Sequence, residues 1–133
     1  MNRALSKTKV KMKTILVIVL IFIGGIQSFG QGIEFFKGDY NAALEKAKQE
    51  GKMLFVDFYA DWCGPCKMMA KDVFPQKQVG DYFNAKFVCL KLNAEKEGRE
   101  LAKRFKVTAY PTFIVVDTDE KVRVELKGSM NAD

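Results

Sequence analysis

The sequence contains no histidine among its 133 residues. Histidine is the side chain whose charge normally changes near neutral pH, a frequent general base and the commonest metal ligand. Its absence excludes a histidine general base, a histidine-rich metal site and a histidine pH switch. The remaining candidates for reactive chemistry include three cysteines.

Cysteine is too scarce for a structural zinc site. Cys63 and Cys66 form a Cys-Gly-Pro-Cys motif, and Cys89 is the only other cysteine. A structural zinc ion needs four ligands, usually two Cys-X-X-Cys pairs or one pair with histidines. The sequence therefore predicts no bound metal.

Acidic residues are absent before residue 14, where five basic residues occur: Arg3, Lys7, Lys9, Lys11 and Lys13. Without these five, 17 basic residues are balanced by 16 acidic ones, so the net charge of +6 belongs to the start of the chain. A nucleic-acid-binding surface would require a basic face on the folded domain. We therefore expect no nucleic-acid partner.

The chain has no long membrane-spanning run. Its apolar stretch "ILVIVLIFIGGI", residues 15–26, has the length of a signal-peptide core and is shorter than the roughly 20 residues that cross a bilayer. Small residues follow at Ser28 and Gly30. We predict a signal peptide over residues 1–30 and an exported mature chain over residues 31–133. The alternative is an uncleaved anchor, because Ser-Phe-Gly is a poor cleavage site.

Helical periodicity marks four segments of the mature chain: residues 39–51, 63–74, 79–84 and 95–105. Asp39 is expected to cap the first helix, because its side chain can accept a hydrogen bond from a free N–H of the first turn. In the second helix, Met68, Met69 and Val73 are expected to face inward.

Apolar patterns predict four strands: residues 53–60, 86–93, 112–117 and 121–127. The first is almost continuously apolar, which is typical of a strand covered on both faces, and Asp57 interrupts it. The last alternates apolar and charged residues, as an edge strand with one wet face does. This order of elements predicts a single α/β domain with a mixed sheet flanked by helices.

The cysteine pair has two further interpretations, a structural crosslink and a redox pair. Chain entropy gives a loop of about four residues only roughly 2 kcal/mol of stabilisation, against about 4.7 kcal/mol for a hundred-residue loop. The redox interpretation explains more. Cys63 would lie at a helix N-terminus, where unpaired N–H groups favour a thiolate, and Cys66 would follow one turn later and more shielded. Pro65 suits a first helical turn, and Gly64 leaves the attacking sulfur uncrowded.

The segment "VDFYADWCGPCK" resembles the active-site segment of the thioredoxin family. Asp57 stands where the family keeps a buried acid, and "KLN" resembles the strand whose lysine, here Lys91, neighbours that acid. "YPTF" resembles the loop that carries a cis-proline, here Pro111. The resemblance covers roughly residues 38–128 and implies a thioredoxin-like fold. The helix and strand before the motif are similar to exported members, including the periplasmic C-terminal domain of the bacterial transmembrane thiol–disulfide electron transporter.

The resemblance implies catalytic roles for four residues. Cys63 would attack a substrate disulfide, and Cys66 would resolve the mixed disulfide. Asp57 would accept the proton of Cys66, with Lys91 as its partner. Two alternatives remain for the last pair: an exposed Asp57 at a strand end and a solvated Lys91. Cys89 is expected to be a buried, inert thiol.

The resemblance also implies a substrate-binding surface around the disulfide. Trp62 would shield the disulfide, with Gly64 and Pro65 beside it. Pro111 would leave the backbone of Tyr110 free to pair with an extended substrate segment. Tyr110 is bulkier than the small aliphatic residue usual at its position, which would narrow access.

We expect a monomeric protein-disulfide reductase of the bacterial cell envelope that needs no cofactor. Its partners would be disulfide-containing proteins and a membrane thiol–disulfide electron donor. The Gly-Pro pair resembles that of reducing members; an oxidant or isomerase and a redox-inactive binding module are the alternatives. Relatives usually carry a helix after the last strand, yet five residues follow Gly128. We therefore expect a C-terminally truncated domain with one partly bare sheet face.

Overall fold

The computed structural model describes residues 32–132, so the predicted signal peptide lies outside the described residues. In chain order the elements are α1 Tyr40–Glu50, β1 Met53–Tyr59, α2 Gly64–Met68, a π turn Met69–Val73, α3 Lys77–Lys86, β2 Phe87–Asn93, α4 Arg99–Arg104, β3 Thr112–Val116 and β4 Val122–Lys127. Within this range no helix is both long enough and apolar enough to cross a bilayer.

The four strands form one mixed sheet in the order β2-β1-β3-β4. β1 pairs parallel with β2 and antiparallel with β3, and β3 pairs antiparallel with β4. The predicted α/β fold with a mixed sheet is therefore confirmed. The register places Asp57 of β1 directly beside Lys91 of β2.

One face of the sheet, which we call the closed face, is covered by α1 and α4. Asp39 caps α1 as predicted, because its Oδ1 accepts a hydrogen bond of 2.8 Å from the N–H of Ala42. The closed face has an apolar core of helix and strand residues. Its strand residues are at most 5 % exposed: Leu54, Val56, Phe58, Val88, Leu90, Leu92, Ile114 and Val116.

The opposite face, which we call the cysteine face, receives the alternate strand residues, because successive side chains of a strand point to opposite sides. The π turn and α3 cover it above β1 and β2. Its buried cluster consists of Phe55, Met69, Phe74, Cys89, Phe113 and Val115.

The cysteine face is open beside β4. A cavity of about 550 Å³ lies between the π turn, α3 and β4, lined by Met69, Phe83, Leu126 and Met130 among other mainly apolar residues. All six residues of β4 are exposed, the apolar as well as the charged ones, and the expected bare part of the sheet lies beside this strand. The reason is geometric: α3 packs on β2, at the far edge of the sheet from β4.

The helix after the cysteines also differs from the prediction. Met69 is buried, but Met68 is 39 % exposed and Val73 only partly buried. The N–H of Phe74 bonds to the carbonyl of Met69, five residues earlier, at 2.9 Å. This wider turn puts Met69 and Phe74 on one face, where a regular helix would put Met69 and Val73.

Candidate active site

The cysteine pair lies where β1 ends and α2 begins. Cys63 occupies the N-cap position of α2, and its Sγ accepts a hydrogen bond of 3.2 Å from the N–H of Cys66. The two cysteines are joined by a disulfide, with their Cα atoms 5.3 Å apart. One of the unpaired N–H groups of the helix start therefore points at the sulfur of Cys63, as the redox interpretation required.

The expected difference in shielding between the cysteines is absent. Cys63 is 2 % exposed and Cys66 is 4 % exposed in the disulfide form. Both pack with Ala60, and the side chains of Tyr59 and Tyr110 flank the pair, which covers the first sulfur as well as the second.

Gly64 and Pro65, the two residues between the cysteines, are both exposed. A Cβ atom at Gly64 would have no neighbour within 4 Å. The space that glycine leaves is therefore open to an approaching molecule.

Asp57 lies beneath this region on the cysteine face. It is 2 % exposed, which excludes the alternative of a carboxylate at an exposed strand end. Burial raises the pKa of Asp57 to about 7, and the Lys91 ammonium, whose Nζ lies 3.8 Å from Oδ2, acts in the opposite direction. Its Oδ1 has no hydrogen-bond partner among the described residues. A carboxyl group in this state can gain or lose a proton near neutral pH.

Trp62 and Tyr110 form an aromatic wall beside the disulfide. Trp62 is 67 % exposed, and its ring meets that of Tyr110 edge to face with centroids 5.8 Å apart. The peptide bond between Tyr110 and Pro111 is cis, as the resemblance implied, and Pro111 is buried. The predicted substrate-binding residues are thus gathered at one end of the sheet around the cysteines.

The sequence model of a family described as thioredoxin-like matches residues 36–118. The chain belongs to this thioredoxin-like family. It is 37 % identical over 84 residues to Thioredoxin-1 of Drosophila melanogaster, covering 63 % of this chain and 73 % of that protein. It is 32 % identical over 99 residues to the thiol:disulfide interchange protein DsbD of Pseudomonas fluorescens, which covers 71 % of this chain but only 17 % of DsbD.

Solved structures support the same assignment. A candidate disulphide-isomerase from Bacteroides thetaiotaomicron matches with a TM-score of 0.69 and 43 % identity, covering 77 % of this chain and 86 % of that one. A thioredoxin from Thermus thermophilus matches with a TM-score of 0.67 and 28 % identity, covering 76 % and 79 %. With the Cys63–Cys66 disulfide, these relationships identify the chain as a thioredoxin-like thiol–disulfide oxidoreductase with protein-disulfide reductase activity.

Two polar residues of this thioredoxin-like site were not predicted from the sequence. Glu95 accepts hydrogen bonds from Nε1 of Trp62 at 3.0 and 3.1 Å. Asn93 is buried and donates from Nδ2 to Oδ1 of Asp61 at 2.9 Å. They tie the end of β2 and the loop that follows it to the segment before Cys63. The sequence signal for these two residues was the polar run at the end of β2 and after it. That run does not reveal which side chains they bond to.

Cys89 lies on β2 inside the cysteine face. It is buried, and desolvation raises the pKa of its thiol to about 12. Cys89 is therefore buried as predicted, and the raised pKa disfavours the thiolate, which is the reactive form of cysteine.

Proposed function

We propose that this thioredoxin-like domain works as a reductant of protein disulfides in the bacterial cell envelope. The observation that carries the redox role is the Cys63–Cys66 disulfide at the start of α2, where the N–H of Cys66 points at Sγ of Cys63. The reducing direction is supported by the Gly-Pro pair of the motif and by the match to thioredoxins.

In the proposed reaction the reduced domain meets a substrate disulfide. The Cys63 thiolate attacks one substrate sulfur, so a mixed disulfide forms and the other substrate sulfur leaves as a thiolate. Cys66 then gives its proton to Asp57 and attacks Sγ of Cys63, which releases the second substrate thiolate. The substrate gains two electrons, and the domain ends in the disulfide form seen here.

The roles proposed for the neighbouring residues follow from their places. Asp57 is buried on the cysteine face with a pKa near that needed to take a proton at neutral pH. Trp62 offers an exposed ring and Tyr110 a partly buried one beside the disulfide, and the backbone of Tyr110 would pair with an extended substrate segment.

Export is the second part of the proposal. It is supported by the basic start, the apolar run of residues 15–26 and the small residues at Ser28 and Gly30. An exported reductant needs a source of electrons outside the cytoplasm, and the similarity to part of DsbD favours a membrane thiol–disulfide donor.

Serine variants of the two cysteines test the reaction. We expect Cys63→Ser to abolish insulin reduction, because no sulfur would be left to attack. Cys66→Ser should retain the attack and accumulate mixed disulfides, detectable by non-reducing electrophoresis and mass spectrometry. Alkylation of the reduced protein at mild pH should label Cys63 first; labelling of Cys66 first would reverse the assignment.

Reduction potential and N-terminal sequencing test direction and location. A potential close to that of DsbA, about −120 mV, would make the domain an oxidant, whereas a value near the −270 mV of thioredoxin supports a reductant. Protein recovered from the cell envelope should begin near Gln31. An intact Met1 on a membrane-bound form would show an anchor instead.

A further inference from the structure

The ammonium group of Lys91 lies among aromatic rings. Its Nζ is 4.7 Å from the ring centroid of Tyr59, 5.6 Å from that of Phe74 and 5.9 Å from that of Phe35. Cation–π attraction operates over distances up to about 6 Å from a ring centroid. All three rings are therefore within range of the same cation.

The three rings come from separate parts of the chain. Tyr59 ends β1, Phe74 follows the π turn, and Phe35 precedes α1 and makes an isolated parallel bridge to Cys89 of β2. The rings of Phe35 and Phe74 pack edge to face with centroids 5.4 Å apart. The surroundings of Lys91 thus depend on contacts that fix three elements against β2.

The ion pair alone does not explain the position of the ammonium. Its distance of 3.8 Å from Oδ2 of Asp57 exceeds that of a strong charge-assisted hydrogen bond, about 2.7–2.9 Å. The Lys91 side chain is also 26 % exposed, so its flexible stem could carry the charge toward water. The rings oppose that movement.

We propose that Tyr59, Phe74 and Phe35 form an aromatic cage that holds the Lys91 ammonium beside Asp57. In this cage Tyr59 is a positioning residue: it places the ammonium that controls how readily Asp57 accepts a proton. The inference rests on the proposed function insofar as that proton comes from Cys66. The cage itself can be tested without turnover.

The cage acts through the distance between two charges. Coulomb attraction in a partly buried site weakens as the ammonium moves away and water enters between the charges. Lys91 is the charged group that acts on Asp57 among the described residues, and its effect is to lower the pKa. The charged groups that act on the Tyr59 hydroxyl are Glu97, Asp61, Lys96 and Asp57 itself. Removing a ring should therefore make Asp57 hold its proton to higher pH.

The test compares Tyr59→Leu with Tyr59→Phe in the oxidised protein. The readout is the Asp57 carboxyl titration followed by carbon NMR. Tyr59→Phe keeps the ring face and should leave the midpoint unchanged. Tyr59→Leu should raise it by about half a pH unit, because the Lys91 ammonium would then lie farther from the carboxylate and attract it less. Phe74→Leu should act in the same direction and serves if Tyr59→Leu does not fold.

Two controls distinguish the cage from burial. Phe83→Leu removes a ring that packs on Phe55 in the same cluster, and it should leave the midpoint in place. In a Lys91→Met background, Tyr59→Leu should cause no further shift. Equal midpoints for Tyr59→Leu and Tyr59→Phe, or an undiminished shift without Lys91, would overturn the cage.

Single-turnover kinetics then separate the cage from the proposed function. Release of the second substrate thiol at pH 7 should slow about twofold in Tyr59→Leu, because a midpoint raised by half a unit from about 7 lowers the ionised fraction of Asp57 from about one half to about one quarter. A raised midpoint with an unchanged release rate would leave the cage standing and would overturn Asp57 as the acceptor of the Cys66 proton.

Discussion

On the closed face, the strand residues are apolar and pack against α1 and α4, whereas the cysteine face carries Asp57, Lys91 and an uncovered margin beside β4. Both faces are made by the same strands, whose side chains alternate. The difference shows a division of labour within one sheet. Burial on the closed face supplies stability that offsets the cost of placing an incompletely paired carboxylate on the other.

That cost is substantial, because a buried charge without full hydrogen bonding is unfavourable by several kcal/mol. Asp57 has one carboxylate oxygen without a hydrogen-bond partner in the described part of the chain and a cation at 3.8 Å from the other. The arrangement is poor for stability and useful for proton transfer. Comparing substitutions on the two faces should therefore separate loss of stability from loss of chemistry.

The largest difference in stability is expected when leucine is replaced by alanine on each of the two faces. Leu54 on the closed face is fully buried, and Leu126 on β4 is 44 % exposed. We expect Leu54→Ala to lower the free energy of unfolding by about 2–5 kcal/mol, because it leaves a cavity in packed core. Leu126→Ala should cost less than about 1 kcal/mol, because part of its surface is already in water.

Urea unfolding of the two alanine variants measures this contrast. Activity at low temperature, where both variants are folded, should change little, since neither side chain contacts the cysteines. Equal losses of stability would mean that the margin beside β4 is as tightly packed as the closed face.

The closed face could be predicted from sequence because its signals are local. The cap at Asp39 and the helical spacing of apolar residues in α1 lie within a few positions of one another. The π turn could not be predicted in this way, because it depends on a hydrogen bond from the N–H of Phe74 to the carbonyl of Met69, five residues earlier. A partly bare sheet face was expected, but its place beside β4 depends on where α3 sits above the sheet.

Replacing the carboxylate tests the other face. The pKa of Asp57 is about 7 in the fold, against an ordinary 3.8, so the folded state binds the extra proton between these values. Stability of the wild type should therefore be highest near pH 4 and fall as pH rises toward 7. The difference between the two pKa values corresponds to about 4 kcal/mol of lost stability at pH 8. This value is an upper bound for the free energy of unfolding that Asp57→Asn can add. Desolvation of the amide, about 1–3 kcal/mol, reduces that gain.

Melting of Asp57→Asn and wild type at pH 5 and pH 8 checks the sign. The melting temperature of the variant should exceed that of the wild type most at pH 8. The variant should also resolve mixed disulfides more slowly. Lys77→Gln, which removes one partner of an exposed ion pair with Asp81, is a matched charge control and should be nearly neutral. A variant that loses stability at pH 8 would show that the ionised carboxylate is held by stronger contacts than those described.

Prediction of the site shows the same division between local and distant signals. Cys63, Cys66 and Asp57 share one short segment, and its resemblance to the thioredoxin family implied their proximity, as it did for Lys91 and Pro111. The contacts of Trp62 with Glu95 and of Lys91 with Phe35 join residues far apart in sequence. Such contacts depend on strand register and loop path, which a single sequence does not reveal.

The smallest effect is expected at the uncovered margin. Val122, Val124 and Leu126 of β4 expose 42–48 % of their surface, and Leu126 also lines the apolar cavity of the cysteine face. Contiguous apolar surface of this kind promotes weak association.

We predict a monomer at micromolar concentration whose sedimentation becomes concentration-dependent at higher concentration. Replacing all three residues by threonine should weaken that dependence while changing stability by at most about 1 kcal/mol, because threonine keeps strand propensity and the positions are half in water. Lys127→Gln in the same strand is the control. An equally weakened concentration dependence in that variant would show that charge, rather than apolar surface, causes the association.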